Sequence, residues 1–170
     1  MGLFDKVKGA LQGPDFTAVL RDVVGDDGFR AHAAVMPSST EAIGREKRVR
    51  DVTDLAQRAA RNAMDHVDQN RHIGGDDGTI ARSLSRKPEG LALALAERSV
   101  TLWRFGMGAK KTQPDLVVRI PRDQVASIVD TGKRGARGHV RLTFADGSFF
   151  DYQAVTAPDD EFWHVVDTWS

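Results

Sequence analysis

The chain has 170 residues, 41% of them hydrophobic, no cysteine, and 24 Lys and Arg matched by 24 Asp and Glu for a formal net charge of zero. That balance excludes capture of nucleic acid by global charge and confines any electrostatic function to a local patch. The missing cysteine excludes disulfides, thiol catalysis, zinc-thiolate knuckles and iron–sulfur clusters, and suits a reducing cytosol.

Met1 to Gln12 place Leu3, Phe4, Val7 and Leu11 on one face of an amphipathic helix over 2–12, which Gly13-Pro14 ends. A second helix is predicted over 15–24 from the stripe Phe16, Val19, Leu20, Val23, Val24, and Gly25-Asp26-Asp27-Gly28 stops it. Phe29 to Met36 alternate weakly as a short strand rich in alanine. The longest helical pattern, about 49–70, carries a narrow stripe of small residues (Ala56, Ala59, Ala60, Ala63) suited to close packing on a neighbour, and Gly74-Gly75 closes it. The segment 41–48 is highly charged.

Past Gly75-Asp76-Asp77-Gly78 the period changes from helix to strand. Leu91, Leu93 and Leu95 alternate with Ala92, Ala94 and Ala96, Glu97-Arg98-Ser99 turns the chain, and Val100 to Phe105 return as a hairpin. The longest apolar run, Leu91 to Ala96, is far short of the roughly 20 residues of a membrane-spanning helix. Further strands are predicted at Leu116 to Ile120, around Val125 to Val129, and in a hairpin from Val140 to Tyr152 about the strong turn signal Asp146-Gly147. Pro158-Asp159-Asp160-Glu161 opens a closing helix, 159–169, with Phe162, Val165, Val166 and Trp169 on its inner face. The order predicts an α+β protein: a mainly helical region over 1–78, then an antiparallel β domain with a C-terminal helix over 79–170.

Chemistry-bearing patterns are sparse. Gly106-Met107-Gly108-Ala109-Lys110-Lys111 follows a strand, yet a phosphate loop needs a helix after it, and Gln113-Pro114-Asp115 leads into another strand. Asp65, His66, Asp68, His72, Asp76 and Asp77 offer donors for a cation, but the two histidines are spaced to point to different sides of a helix. No serine sits in a nucleophile motif. The sequence therefore predicts no catalytic residue, no metal site and no cofactor.

Charge is segregated along the chain. Arg104, Lys110, Lys111, Arg119, Arg122, Lys133, Arg134, Arg137 and Arg141 crowd one stretch, while 151–170 hold acids and no Lys or Arg. Should the loops 106–115 and 131–138 meet, Lys110, Lys111, Lys133, Arg134 and Arg137 would form a site for an anion such as a lipid headgroup. The N-terminal helix adds Lys6 and Lys8 beside Leu3, Phe4, Val7 and Leu11, the composition of helices that lie on anionic bilayers. Lys6 stands where a myristoylation site has Ser or Thr, and the apolar run is too short for a secretory signal.

The stretch from about Leu91 to Trp169 resembles the pleckstrin-homology-like fold, in particular its bacterial members and the related GRAM domains. The resemblance rests on the hairpin Leu91 to Trp103, the phrase Val118-Arg119-Ile120-Pro121-Arg122-Asp123-Gln124-Val125-Ala126-Ser127-Ile128, the hairpin His139 to Tyr152, and the closing helix with Phe162 and Trp163. It covers a little under half of the chain and implies a strongly bent antiparallel sheet or partial barrel capped by the C-terminal helix. It also implies a non-enzymatic binding or scaffold role toward anionic lipid headgroups or a protein partner. The chain departs from the lipid-binding pattern: its first hairpin turn, Glu97-Arg98-Ser99, is short and nearly neutral, with Lys110 and Lys111 in the next loop. The expectation is a cytoplasmic module, peripheral to the inner face of the membrane through its helix and basic loops, with no specific nucleic acid and no transmembrane segment. The alternative is a protein-interaction module that binds no lipid.

Overall fold

In the computed structural model the described residues are 16–39, 71–106, 108–132, 138–155 and 158–169, the side chains of 108 and 110 excepted. The expected helices 2–12 and 49–70 and the charged segment 41–48 lie outside them. Helix α1, Phe16–Val24, buries Leu20 and Val24. A short 3-10 turn, Gly25–Asp27, follows, and Gly28 ends it in the left-handed region at φ 74°, returning its N–H to the Gly25 carbonyl. Glycine is required there twice over, because a Cβ would also come within 2.8 Å of the Glu97 side chain.

The fold is α+β, built on one eight-stranded sheet. Its strands are β1 Phe29–Pro37, β2 Ile73–Gly74, β3 Leu91–Ala96, β4 Ser99–Arg104, β5 Asp115–Pro121, β6 Val125–Asp130, β7 His139–Phe144 and β8 Phe149–Ala154. The order is β5-β4-β3-β1-β8-β7-β6, with β2 laid beside β8, and every ladder is antiparallel. Among the described residues no ladder joins β5 to β6, so the sheet is open and has two end strands.

The short alanine-rich strand expected over Phe29 to Met36 is present as β1. This nine-residue strand lies at the centre, paired to β3 from Phe29↔Ala96 to Val35↔Leu91 and to β8 from Val35↔Ala154 to Pro37↔Tyr152. Its period-2 signal is weak because its inward residues include Ala31 and Ala33, whose small side chains carry little hydropathy contrast. Both are buried all the same. Two short elements also escape the sequence: β2, and helix α2 at Ile80–Ser83. Gly74 of β2 faces the Phe149 ring, which a Cβ would meet at 2.1 Å, so the close pairing with β8 depends on glycine.

Strand β3 is buried on both faces, and two clusters show why. Leu91, Leu93 and Leu95 enter the main core with Leu102, Ile120, Leu142, Phe144 and Phe150. Ala92, Ala94 and Ala96 point the other way and lie with Trp103 beneath Leu20 and Val24 of α1. The small alanines give α1 a flat seat at the sheet surface. Burying Leu20 and Val24 there contributes about 1.5–3 kcal/mol each.

The closing helix α3, Asp160–Trp169, carries Asp160 and Glu161 in its first turn, and the Phe162 N–H donates to Asp159 Oδ1 at 2.8 Å. Phe162, Val166 and Trp169 are its buried face. Phe162 is fully covered, and the Trp169 indole N–H donates to the Ala96 carbonyl at 2.7 Å, tying the helix to the end of β3.

Candidate functional site

A cavity of about 570 Å3 lies where the sheet is open. One wall is β6, from Val125 to Ile128; the other is the C-terminal half of α3, with Val166 and Trp169. Glu97, Arg98, Arg122 and Asp123 close one end. The volume falls within the range of ligand-binding clefts, about 300–1,000 Å3.

Local sequence explains this geometry. Pro121 ends β5, the 3-10 turn Arg122–Gln124 reverses the chain, and β6 begins at Val125. Arg122 then acts as a tie. Its Nη2 donates to the Trp169 carbonyl, its Nη1 donates to the Glu97 carbonyl at 3.4 Å, and its guanidinium stands 4.9 Å from the centroid of the Trp169 ring. A cation on the last carbonyl of a helix and on an indole face is favourable on both counts. The cleft therefore has a fixed helical wall.

The wall formed by β6 is a strand edge. Among the described residues β6 pairs only with β7, in a register that runs from Val125↔Phe144 to Asp130↔Val140 with an irregularity between Val125 and Ser127. Ile128 is buried in the core, whereas Ala126, Ser127, Val129 and Asp130 are exposed. Val129 is 43% exposed, one of four large apolar side chains so placed among the described residues. Natural edges are blunted by Lys, Pro or strong bulging, and this six-residue edge contains neither Lys nor Pro. The other end strand, β5, carries Arg119 and ends in Pro121.

A second constellation, buried and polar, lies where β1 leaves the sheet. The Asp151 carboxylate accepts from Arg141 Nε at 2.6 Å and Arg141 Nη2 at 2.9 Å, and from His72 Nδ1 at 3.1 Å. An ionised carboxylate only accepts, so this geometry puts the His72 proton on Nδ1. The His72 and His139 rings stack with centroids 6.0 Å apart, and His139 Nδ1 lies 3.0 Å from Ser38 Oγ. Serine, two histidines and an aspartate thus adjoin, but the carboxylate meets His72, not the imidazole beside Ser38. The array joins residues 71–74 and the end of β1 to β7 and β8. Arg141 is further held over the Phe149 ring at 3.9 Å, and its bonds to Asp151 raise its already high pKa.

The residues predicted to bind an anion are only partly placed. Lys110 and Lys111 lie in a 3-10 turn, Gly108–Lys111, between β4 and β5, and Lys111 is exposed. Lys133, Arg134 and Arg137, and Leu3, Phe4, Lys6, Val7, Lys8 and Leu11 of the membrane-contact helix, lie outside the described residues. The arginines of the same basic stretch are engaged by groups distant in sequence. Arg104 forms a bidentate pair with Glu89 at 2.6 and 2.8 Å, Arg119 lies 3.6 Å from the buried Asp27, and Arg141 meets Asp151. His72, weighed as a cation ligand, is committed to Asp151, and among the described residues no cluster of three or more His, Asp or Glu is arranged to hold a metal. No described helix is long and apolar enough to cross a membrane.

Sequence reasoning missed the open β6 edge, since strand pairing across the sheet decides which strand is left at its end. It also missed the second use of Asp146, read only as a hairpin turn. That carboxylate accepts from the Ile80 N–H at 2.7 Å while Ser148 Oγ accepts from the Ala81 N–H at 3.2 Å, so the turn anchors α2. Hydrogen bonds, first from Ser148 and then from Ile80, hold the Asp146 carboxyl below its ordinary pKa. No protein-family model matches the chain, and no curated protein is similar to it.

Proposed function

We propose that the protein is a non-enzymatic interaction module of the pleckstrin-homology-like type that takes an extended peptide segment of a partner protein along β6. The observation that carries the reading is the β6 edge, without Lys or Pro, beside a cleft whose other wall holds Val166 and Trp169 of α3. An added strand would satisfy the outward N–H and C=O groups of β6, which gives affinity. The cleft floored by Val166 and Trp169 would take one of its apolar or aromatic side chains, which gives selectivity. Six residues of edge offer roughly 20 Å of pairing.

The fold-level part of the proposal is supported by the core. Ile120 of β5 and Ile128 of β6, at opposite ends of the sheet, belong to one cluster with Phe162 and Trp169 of α3. That shared core under one helix supports the bent sheet that the resemblance implies. Among the described basic residues Arg104, Arg119 and Arg141 are engaged by carboxylates, which favours a protein partner over an anionic membrane.

The test is selection of peptides from a random display library against the full chain, followed by titration of a synthetic winner. Amide shifts confined to 125–130 and the Trp169 indole, and at least a tenfold loss of affinity in Ala126→Arg with unchanged melting, are expected. Binding that survives Ala126→Arg would overturn the site. Sedimentation with vesicles containing phosphatidylserine, but not with neutral ones, that is lost on removing residues 1–11 would favour the membrane reading instead.

A further inference from the structure

Two exposed apolar side chains far apart in sequence, Phe16 at 43% and Leu116 at 46%, stand on the same face of the sheet. Phe16 is the first residue of α1, and its ring meets that of Phe105 edge-on with centroids 4.7 Å apart. Phe105 packs in turn against the cluster that Leu20, Val24 and Trp103 form beneath α1. Leu116 is the ladder partner of Trp103, and cross-strand partners put their side chains on one face. The same face carries Arg119, partner of Thr101, whose guanidinium lies 3.6 Å from Asp27 in the turn that follows α1. Leu116 therefore sits diagonally across from Phe105, a spacing of about 7–8 Å in a ladder. Phe16, Phe105 and Leu116 make an apolar strip at the start of α1.

The chain supplies a fitting occupant beside it. Three residues, Gly13-Pro14-Asp15, join Phe16 to the segment 2–12, whose sequence puts Leu3, Phe4, Val7 and Leu11 on one face of an amphipathic helix. That segment lies outside the described residues. Gly-Pro suits a reversal of the chain, and three extended residues reach about 10 Å. From Leu3 to Leu11 the stripe would cover about 12 Å of helix, the scale of the strip from Phe16 past Phe105 to Leu116. A tether this short holds the segment at an effective concentration on the order of 1 mM, so even weak apolar contact is enough to seat it. No other occupant has that advantage.

We propose that residues 2–12 dock as a helix on this strip, with Leu11 nearest Phe16 and Phe105, and with Val7 and Phe4 over Leu116. Docking turns the apolar stripe inward, so the segment is a cover of its own sheet and not a membrane anchor. The surface is separate from the β6 cleft and shares no lining residue with it.

The chain contains no cysteine, so introduced pairs report without background. In the full chain, Val7→Cys with Leu116→Cys should form an intramolecular disulfide at least about tenfold faster under mild oxidation than Asp5→Cys with Leu116→Cys, because Asp5 falls on the far side of the predicted helix. As a second readout that leaves the strip intact, Val7→Asp in the full chain should shift the backbone amides of Phe105 and Leu116, whereas Asp5→Asn should shift only its sequence neighbours. Equal rates for the two cysteine pairs, disulfides formed only between chains, or Val7→Asp shifts confined to the residues around position 7 would each overturn the proposal. Attachment to phosphatidylserine vesicles that is lost in Val7→Asp, with no change at Phe105 and Leu116, would give the segment to the membrane instead.

Discussion

Asp151→Asn tests whether the buried polar array at the end of β1 is a structural clamp. The Asp151 side chain is 4% exposed and accepts two bonds from Arg141 and one from His72. Removing one partner of a fully buried ion pair costs about 3–5 kcal/mol. Arg141 is 28% exposed and keeps its place over Phe149, so it recovers part of its hydration, and the amide oxygen of asparagine still accepts one bond. The expected loss is therefore about 2–3 kcal/mol, a large share of the roughly 5–15 kcal/mol that holds a domain together. Urea unfolding followed by tryptophan fluorescence measures it. Arg141→Met should cost a similar amount, and the double variant less than the sum, by about 1–3 kcal/mol, because each single change strands the other charge. Amide exchange at Ile73 and Gly74 should quicken in Asp151→Asn, since His72 ties that segment down. A loss under about 0.5 kcal/mol, or additive single costs, would refute the clamp.

Ala94→Leu should destabilise by about 1–3 kcal/mol in the same urea assay, since Ala94 is fully buried under α1 and extra methyls there must lift the helix; a neutral result would mean that α1 does not seat on the sheet. Trp169→Phe removes the indole donor from the Ala96 carbonyl and should cost about 1–3 kcal/mol, with faster amide exchange through α3 as a second readout. Asp146 has a lowered folded pKa, so its contribution is full above the ordinary carboxyl value of 3.8 and is lost as pH falls through the lower folded value. The urea midpoint of the parent should therefore fall more steeply below about pH 4 than that of Asp146→Asn, and parallel curves would contradict the anchoring of α2.

Most of the elements from Leu91 onward were legible because each carries a strong local signal. The Leu/Ala alternation marked β3, Asp146-Gly147 the last hairpin, and the acids before Phe162 the start of α3. The candidate site was far less legible. Its walls come from β6 and the end of α3, more than thirty residues apart. Nothing in the Val125 to Asp130 sequence distinguishes an end strand from an inner one. The charge segregation was legible but incomplete as a guide, since Arg104, Arg119 and Arg141 meet Glu89, Asp27 and Asp151, partners that linear order does not reveal.

Sequence by itself determined the α+β class, the net neutrality, the absence of thiol chemistry and the inward faces of α1, β3 and α3, all of which follow from residue type and period within a few turns or a single strand. Tertiary structure alone decided that β1 is central, that the alanine face of β3 is covered, that β6 keeps an open edge and that Phe105 and Leu116 share a face with α1. Each of these depends on which distant segments share a boundary, and local periodicity carries no record of that: it states that a face is apolar, and packing selects what lies against it.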